Sequence, residues 1–236
     1  MSATFSFPRS ALWLLLGCTL LLAGCDNEPG ERKAFIAFLQ TRILDKTGVR
    51  VPRPSEAERK PWGRYAAHYD VIQKFHEAMG EKVAKPLSGE LQRGRILTVQ
   101  DLVDRSADIK SVHANLQRFQ PLMDEEVARA EAARAALAQP ADLKAVYDAA
   151  FEKVVRAPAS HVKEALPPAL ATIKAAVDLG DFLIANRGKV TVRGALMETA
   201  DPALQREIQT RLTAMQELQK KSQESQRRLQ SQIQGG

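Results

Sequence analysis

The chain has 236 residues, with 34 Lys and Arg against 28 Asp and Glu, a net charge of +6, and two cysteines. That length supports one ordinary domain with a sizeable core, and so few cysteines exclude a disulfide-dense scaffold. Aromatics make up only 6%, while Ala, Leu, Gln, Lys, Arg and Glu recur throughout, and these are strong helix formers.

At the start of the chain, Arg9 precedes an apolar run from Ala11 to Leu22, and Leu22-Ala23-Gly24-Cys25 closes it. A helix crossing hydrocarbon needs roughly 20 predominantly apolar residues. This run is too short and suits the apolar core of a signal peptide. The order of basic residue, apolar run, small residues and cysteine resembles a bacterial lipoprotein signal peptide. The resemblance implies that the Cys25 thiol receives diacylglycerol and that residues 1–24 are then removed. Cys18 would leave with the leader and Cys25 would be consumed by the lipid. No disulfide, thiolate metal site or cysteine nucleophile would remain, so packing alone must hold the domain. One acyl chain gives marginal attachment, whereas two or three make it effectively permanent. Asp26 and Asn27 follow. An Asp directly after the cysteine resembles an inner-membrane retention signal, which implies the periplasmic face of the inner membrane, with the outer membrane as the alternative. Residues 25–31 read as anchor and tether, reaching at most roughly 20 Å.

Residues 32–220 read as the folded domain. Arg32 to Lys46 is expected as a first helix, with Phe35, Phe38, Leu39 and Ile43 on one face. Core packing is the commoner use of such a stripe, and burial in a membrane interface is the other. Gly48, Pro52 and Pro54 end it, and Ser55 with Glu58 forms a capping-box pattern for a second helical region reaching Met79. Gly80 to Arg95 is expected to be broken by Pro86, Gly89 and Gly94. From Thr98 to Ala138 runs the longest helical pattern, carrying Ile109, Val112, Leu116, Phe119 and Met123, with Pro121 expected to kink or divide it. Past Pro140, an amphipathic helix carries Leu143, Tyr147, Phe151 and Val154 and is expected to stop at Pro158. Pro167 and Pro168 are expected to open the next helix, striped by Leu170, Ile173, Val177 and Leu183. Val190-Thr191-Val192, between Gly188 and Gly194, reads as a brief strand pairing with Leu196-Met197. Asp201-Pro202 starts a final helix held by Leu204, Ile208, Leu212, Met215 and Leu218. Residues 221–236 are expected to be a frayed polar tail. The fold expected is mainly α, an elongated bundle of about five to seven helices with one short hairpin near 189–197.

Arg32-Lys33-Ala34-Phe35-Ile36 and Phe38-Leu39-Gln40 lie just after Cys25, and Asp142-Leu143-Lys144, Val146, Phe151, Lys153-Val154-Val155, Pro158 and Gly180-Asp181 come later. This set resembles the YiaF-like family of bacterial lipoproteins, a domain of unknown function. The resemblance implies an envelope-anchored helical domain and carries no catalytic motif.

Signatures of chemistry fail on inspection. His76-Glu77 begins like a zinc-protease helix, but Gly80 stands where the second His is needed. His68 and His76, eight apart, make a weak two-His candidate, since catalytic zinc usually has three protein ligands. Ser88-Gly89 lacks the rest of a nucleophile elbow, and Gly188-Lys189 lacks a P-loop's upstream glycine. Asp178 with Asp181, and Asp124 with Glu125 and Glu126, read as solvated faces rather than acid–base pairs. No catalytic residue, metal ligand or cofactor is expected. Charge is the remaining signal: Arg42 to Arg95 holds 12 basic and 7 acidic residues, densest at Arg50, Arg53, Arg59, Lys60 and Arg64. Beside a membrane such a patch would meet anionic lipid headgroups, at about 1 kcal/mol per cation; otherwise it is a solvated face that aids solubility. Nucleic acid is not an expected partner. The expected role is a non-catalytic scaffold or interaction module for envelope proteins. A helical carrier or sensor of an apolar ligand is the alternative, and an enzyme of unrecognised type comes third.

Overall fold

Phe35, Phe38, Leu39 and Ile43 recur at steps of three and four, and that spacing pulls the first helix inward. In the computed structural model, which describes residues 27–235, all four are buried on α1 (Glu28–Leu39) and the π-turn Gln40–Leu44 that continues it. The stripe is therefore spent in the core. α1 starts four residues earlier than its apolar pattern, so Glu28 to Glu31 are its first turn and not tether. Pro29 fits there because its missing N–H has no partner to lose, and Glu28 and Glu31 favour the helix dipole.

α2 (Glu56–Arg59) opens with the capping box of Ser55 and Glu58, and a 3₁₀ segment, Lys60–Tyr65, leads into α3 (Ala66–Met79). The stretch from Gly80 to Arg95 is less broken than expected. A π-turn, Gly80–Ala84, passes directly into α4 (Lys85–Arg93). Pro86 cannot donate to the carbonyl four residues back, and the wider turn, closed by Lys85 N–H on the Gly80 carbonyl, makes room for its ring.

Beyond Gly94, Thr98 and Asp101 cap α5 (Val99–Asp104). α6 (Ser106–Gln117) and α7 (Phe119–Ala135) follow. The long pattern divides at Arg105 and Arg118 rather than at Pro121, which lies in the first turn of α7 where helix N–H groups have no internal partner.

α8 (Ala141–Phe151), the π-turn Glu152–Arg156 and α9 (Ala157–Ala185) form one uninterrupted path. Pro158 does not stop it. Its ring has no N–H for the Val154 carbonyl, and His76 Nε2 donates to that oxygen instead, at 2.6 Å. Pro167 and Pro168 lie inside α9 and do not open it. Leu166, Ala176, Leu179 and Leu183 are buried along the same helix, and that continuous packing outweighs about 3 kcal/mol per interior proline.

β1 (Thr191–Arg193) and β2 (Leu196–Glu198) pair antiparallel, Arg193 opposite Leu196 and Val192 opposite Met197. Gly194 has φ +62° and Ala195 does not share the positive sign, so the turn is of the II′ kind that matches strand twist. Asp201 then caps α10 (Pro202–Gln234) by accepting from the Ala203 and Leu204 N–H groups at 2.8 and 3.4 Å.

The expected frayed tail instead supplies the last 14 of the 33 residues of α10. The helix lies along α9, and Ser222 is buried there. A small polar residue continues the seam because it allows close helix approach. The Val49 N–H donates to the Ile233 carbonyl at 2.9 Å. Gly48 has φ +67°, and a Cβ on it would strike the Ile233 and Gln234 backbone.

Three cores result. The first is rich in rings: Phe35, Phe38, Trp62, Tyr65, Tyr69, Phe75, Tyr147 and Phe151. The second is aliphatic, built from Leu102, Ile109, Leu179, Leu183, Val190 and Ile208. The third, around Val83, Val112, Leu116, Phe119 and Met123, shares Met79 with the first and Ile173 with the second.

Candidate functional site

The anchor end is built on α1. Cys25 and Asp26 lie outside the described residues, and Asn27 is the exposed residue before the helix. One turn in, the first acidic residues are clasped. Tyr65 Oη donates to the Glu28 carboxylate, and burial together with this bond pushes the phenol up to about 12. Glu31 accepts from Arg64 Nε at 3.0 Å and from the Arg64 backbone N–H at 3.2 Å. Arg32 reaches Asp142 of α8 at 3.2 Å. The folded body therefore begins three residues after Cys25.

The basic residues singled out in the sequence do not gather into one patch. Segment 58–64 runs antiparallel beside α1, with Glu58 on Arg42 at 3.1 Å and Arg64 on Glu31. Those two contacts are eleven residues apart on the helical path, about 16 Å by helix rise. Arg59 turns inward, paired with Asp70 and donating to Gln73 at 2.7 Å and to the Ala66 carbonyl at 3.0 Å. Arg50, Arg53 and Lys60 stay exposed. Arg50 instead joins Arg42, Lys46 and Thr47 around an open recess of about 620 Å³, beyond the far end of α1. Lys153 closes off that helix end by donating to the Leu44 carbonyl at 2.9 Å and to the Lys46 carbonyl. Arg42 and Lys46 fell outside the sequence-level cluster because a helix turn, not sequence adjacency, brings them to Arg50.

A second feature was not legible in the sequence: a half-open groove of about 510 Å³ between α3 and α7. Its lining is Ala67, Val71, Phe75, Ala78, Ala130 and Ala133, with charged groups at its edges. Asp70 is neutralised by Arg59. Glu126, 4% exposed, accepts from Lys82 at 2.6 Å and from Arg129 at 2.8 Å through both oxygens. The Lys82 bond, with Arg129 beside it, holds this carboxyl below the ordinary range. Lys74 lines the groove with no ion pair among the described residues. The alanine run at 128–138 hinted at a close helix approach, but here it also leaves space.

The histidines are committed individually. His68 Nδ1 lies 3.1 Å from Gln139 Nε2, and His76 is bonded to the Val154 carbonyl. Burial lowers the pKa of both. Asp178 pairs with Lys174 at 2.7 Å, Asp181 with Lys110 at 2.5 Å and Asp124 with Lys163 at 2.8 Å. Among the described residues no three His, Cys, Asp or Glu side chains converge as a metal site, and no helix is long and apolar enough to cross a membrane.

The class defined by this architecture is a mainly α domain with a single short hairpin. Residues 12–230 match the family described as "Protein of unknown function (DUF3053)", and the chain belongs to that family. It is 30% identical over 183 residues to "Uncharacterized protein YiaF" of Escherichia coli strain K12, covering 77% of this chain and 75% of that protein. The proteins of the same name from Escherichia coli O6:H1 and Shigella flexneri align with the same identity and coverage. No solved structure matches.

Proposed function

We propose that this chain is a lipid-anchored protein of the bacterial envelope, acting as a non-catalytic scaffold or interaction module. Cys25 carries the lipid, Asp26 directs retention at the periplasmic face of the inner membrane, and the partners are the bilayer and other envelope proteins. The observation behind this reading is the position of α1. Only Asp26 and Asn27 separate Cys25 from a helix whose first turn is pinned by Tyr65 and Arg64. Three Cα steps span at most about 10 Å, so an acylated Cys25 would hold the body against the headgroups.

Mass analysis of the N-terminal peptide from native membranes should find Cys25 with its lipid mass and no residue upstream. Cys25→Ser should lose that mass and remain unprocessed. A bare thiol, or a start before Cys25, would refute the reading. Density fractionation should place the parent with inner membrane and Asp26→Ser with outer membrane; a parent found in the outer membrane favours the alternative address.

The groove between α3 and α7 favours a second reading, a carrier or sensor for an apolar ligand. Its volume is within the range of small-molecule sites, and Lys74 would face an acidic head group. A fluorescent fatty acid should bind, and Ala130→Phe, which fills the groove, should weaken it at least about tenfold. Unchanged binding in that variant would remove this reading.

A further inference from the structure

The two most exposed large apolar side chains among the described residues sit at one end of the molecule. Leu97 is 75% exposed and Leu196 is 64% exposed. Leu97 lies in the loop before α5 and Leu196 at the start of β2, and the Gln100 N–H of α5, donating to the Gly194 carbonyl at 3.0 Å, ties the two segments together. Neither is a loose end. The Leu97 N–H is held by Asp101 Oδ2 at 2.8 Å, which fixes the backbone while the side chain projects outward. Leu196 sits in a paired strand whose inner residues, Val192 and Met197, pack on the aliphatic core. Strand alternation places Leu196 on the opposite face with Thr191, Arg193 and Glu198. The two-residue turn Gly194-Ala195 sets Arg193 and Leu196 directly opposite each other at the tip.

Arg95 lies two residues before Leu97 and Arg193 stands opposite Leu196, while Arg187 and Lys189 lie in the turn between α9 and β1; all four are exposed and without ion pairs among the described residues. Arg105 is spent on the Arg93 and Arg95 carbonyls. Four carboxylates share the end. Asp101 and Asp201 accept backbone N–H groups at helix starts, Asp104 accepts from Gln100 at 2.9 Å, and Glu198 faces solvent. Exposed leucines flanked by the uncommitted Arg95 and Arg193 are complementary to a bilayer with acidic headgroups. A protein interface would centre on Trp, Tyr or Arg in a pocket, with Leu under-represented, and neither the loop before α5 nor the hairpin carries an aromatic residue.

We infer that the hairpin tip and the loop before α5 form a membrane-inserting surface, with Leu97 and Leu196 entering the acyl boundary and Arg95, Arg187, Lys189 and Arg193 meeting anionic headgroups. This surface is remote from the start of α1. The anchor end of α1 lies beside the start of α8, and the tip lies beyond the end of α9, a helical path of 45 residues, Ala141 to Ala185, or about 65 Å along its contour. The inference does not depend on lipid at Cys25.

The test uses the chain from Asp26 onward, since all three cores fall within residues 27–235. It should co-sediment with phosphatidylcholine vesicles containing one-third phosphatidylglycerol, and far less with phosphatidylcholine alone. Leu97→Ser with Leu196→Ser should lower binding at least about tenfold with thermal midpoint unchanged, because both side chains are already in water. Arg95→Gln with Arg193→Gln should lower binding to the acidic vesicles about tenfold at low salt. Leu196→Trp should show blue-shifted emission on acidic vesicles only. Undiminished binding of the double-serine variant overturns the inference. So does a chain that binds neither vesicle but self-associates through the leucines, which would make the tip a protein contact.

Discussion

The ring-rich core beside α1 and the aliphatic core beneath the hairpin are held in different ways. In the first, Phe38 lies 4.3 Å from the Trp62 ring and meets Tyr69 edge-on at 5.1 Å. Its tyrosines also pin distant backbone: Tyr69 donates to the Pro52 carbonyl at 2.7 Å and Tyr147 to that of His68 at 2.9 Å. Around its rim, Arg134 and Arg156 cover the Phe151 ring while sharing Glu131. The second core has none of these bonds among its buried residues. Its nearest ring, Phe182, is half-buried against it and covered by the Arg211 guanidinium, 4.7 Å away. Directional contacts fix one end in register, whereas nondirectional packing and one long helix pair hold the other. The exposed leucines belong to the second end, where little is committed to internal bonds.

The strongest way to break this comparison is to empty each core in turn. Tyr147→Ala should cost about 3–5 kcal/mol of unfolding free energy by denaturant titration, and hydrogen exchange should rise in α1 and α3 before α10. Uniform loosening would show that the two ends are not separate units. Gly180→Ala addresses the other end. A Cβ there would lie 2.6 Å from the Leu102 carbonyl, so α5 must shift from α9 at a cost of about 1–3 kcal/mol. Truncation after Lys221 removes the Val49 to Ile233 bond and half-buried Leu229. It should cost about 1–2 kcal/mol and raise exchange at Val49, whereas a frayed tail would leave both unchanged.

The smallest effect should be one of pH. Burial holds His68 and His76 below the ordinary imidazole value of 6.5, so the unfolded chain binds more protons below that value. Stability should be complete above about pH 6.5 and fall as pH drops toward the folded-state values. His76→Gln keeps a donor for Val154 and should flatten part of that slope in thermal midpoints taken between pH 5 and 7.5, values chosen around the imidazole range.

Helical class and most core residues were legible because Phe35, Leu143, Tyr147 and Leu183 stand at helical spacing and are buried as their stripes require. The hairpin was legible from Gly194 and its alternating flanks. Prolines misled: Pro121, Pro158 and Pro167 were read as boundaries, and their positions in first turns, after π-turns or on a strongly packed helix depend on tertiary contacts. The polar end of α10 misled for the same reason, since its seam is formed by Ser222 against α9. Of the candidate sites, the charge surplus was visible and its dispersal was not, because Arg59 turns inward to Asp70, a contact eleven residues away in sequence. Leu196 was read only as a strand residue and Leu97 fell between the expected elements, so accessibility alone marks them out.

The contact between residues 49 and 233 also sets an order of events. The two residues stand 184 positions apart, so the loop after the first helix can be locked only once nearly the whole chain has reached the compartment where it folds, and a product that ends before Ile233 lacks the lock entirely.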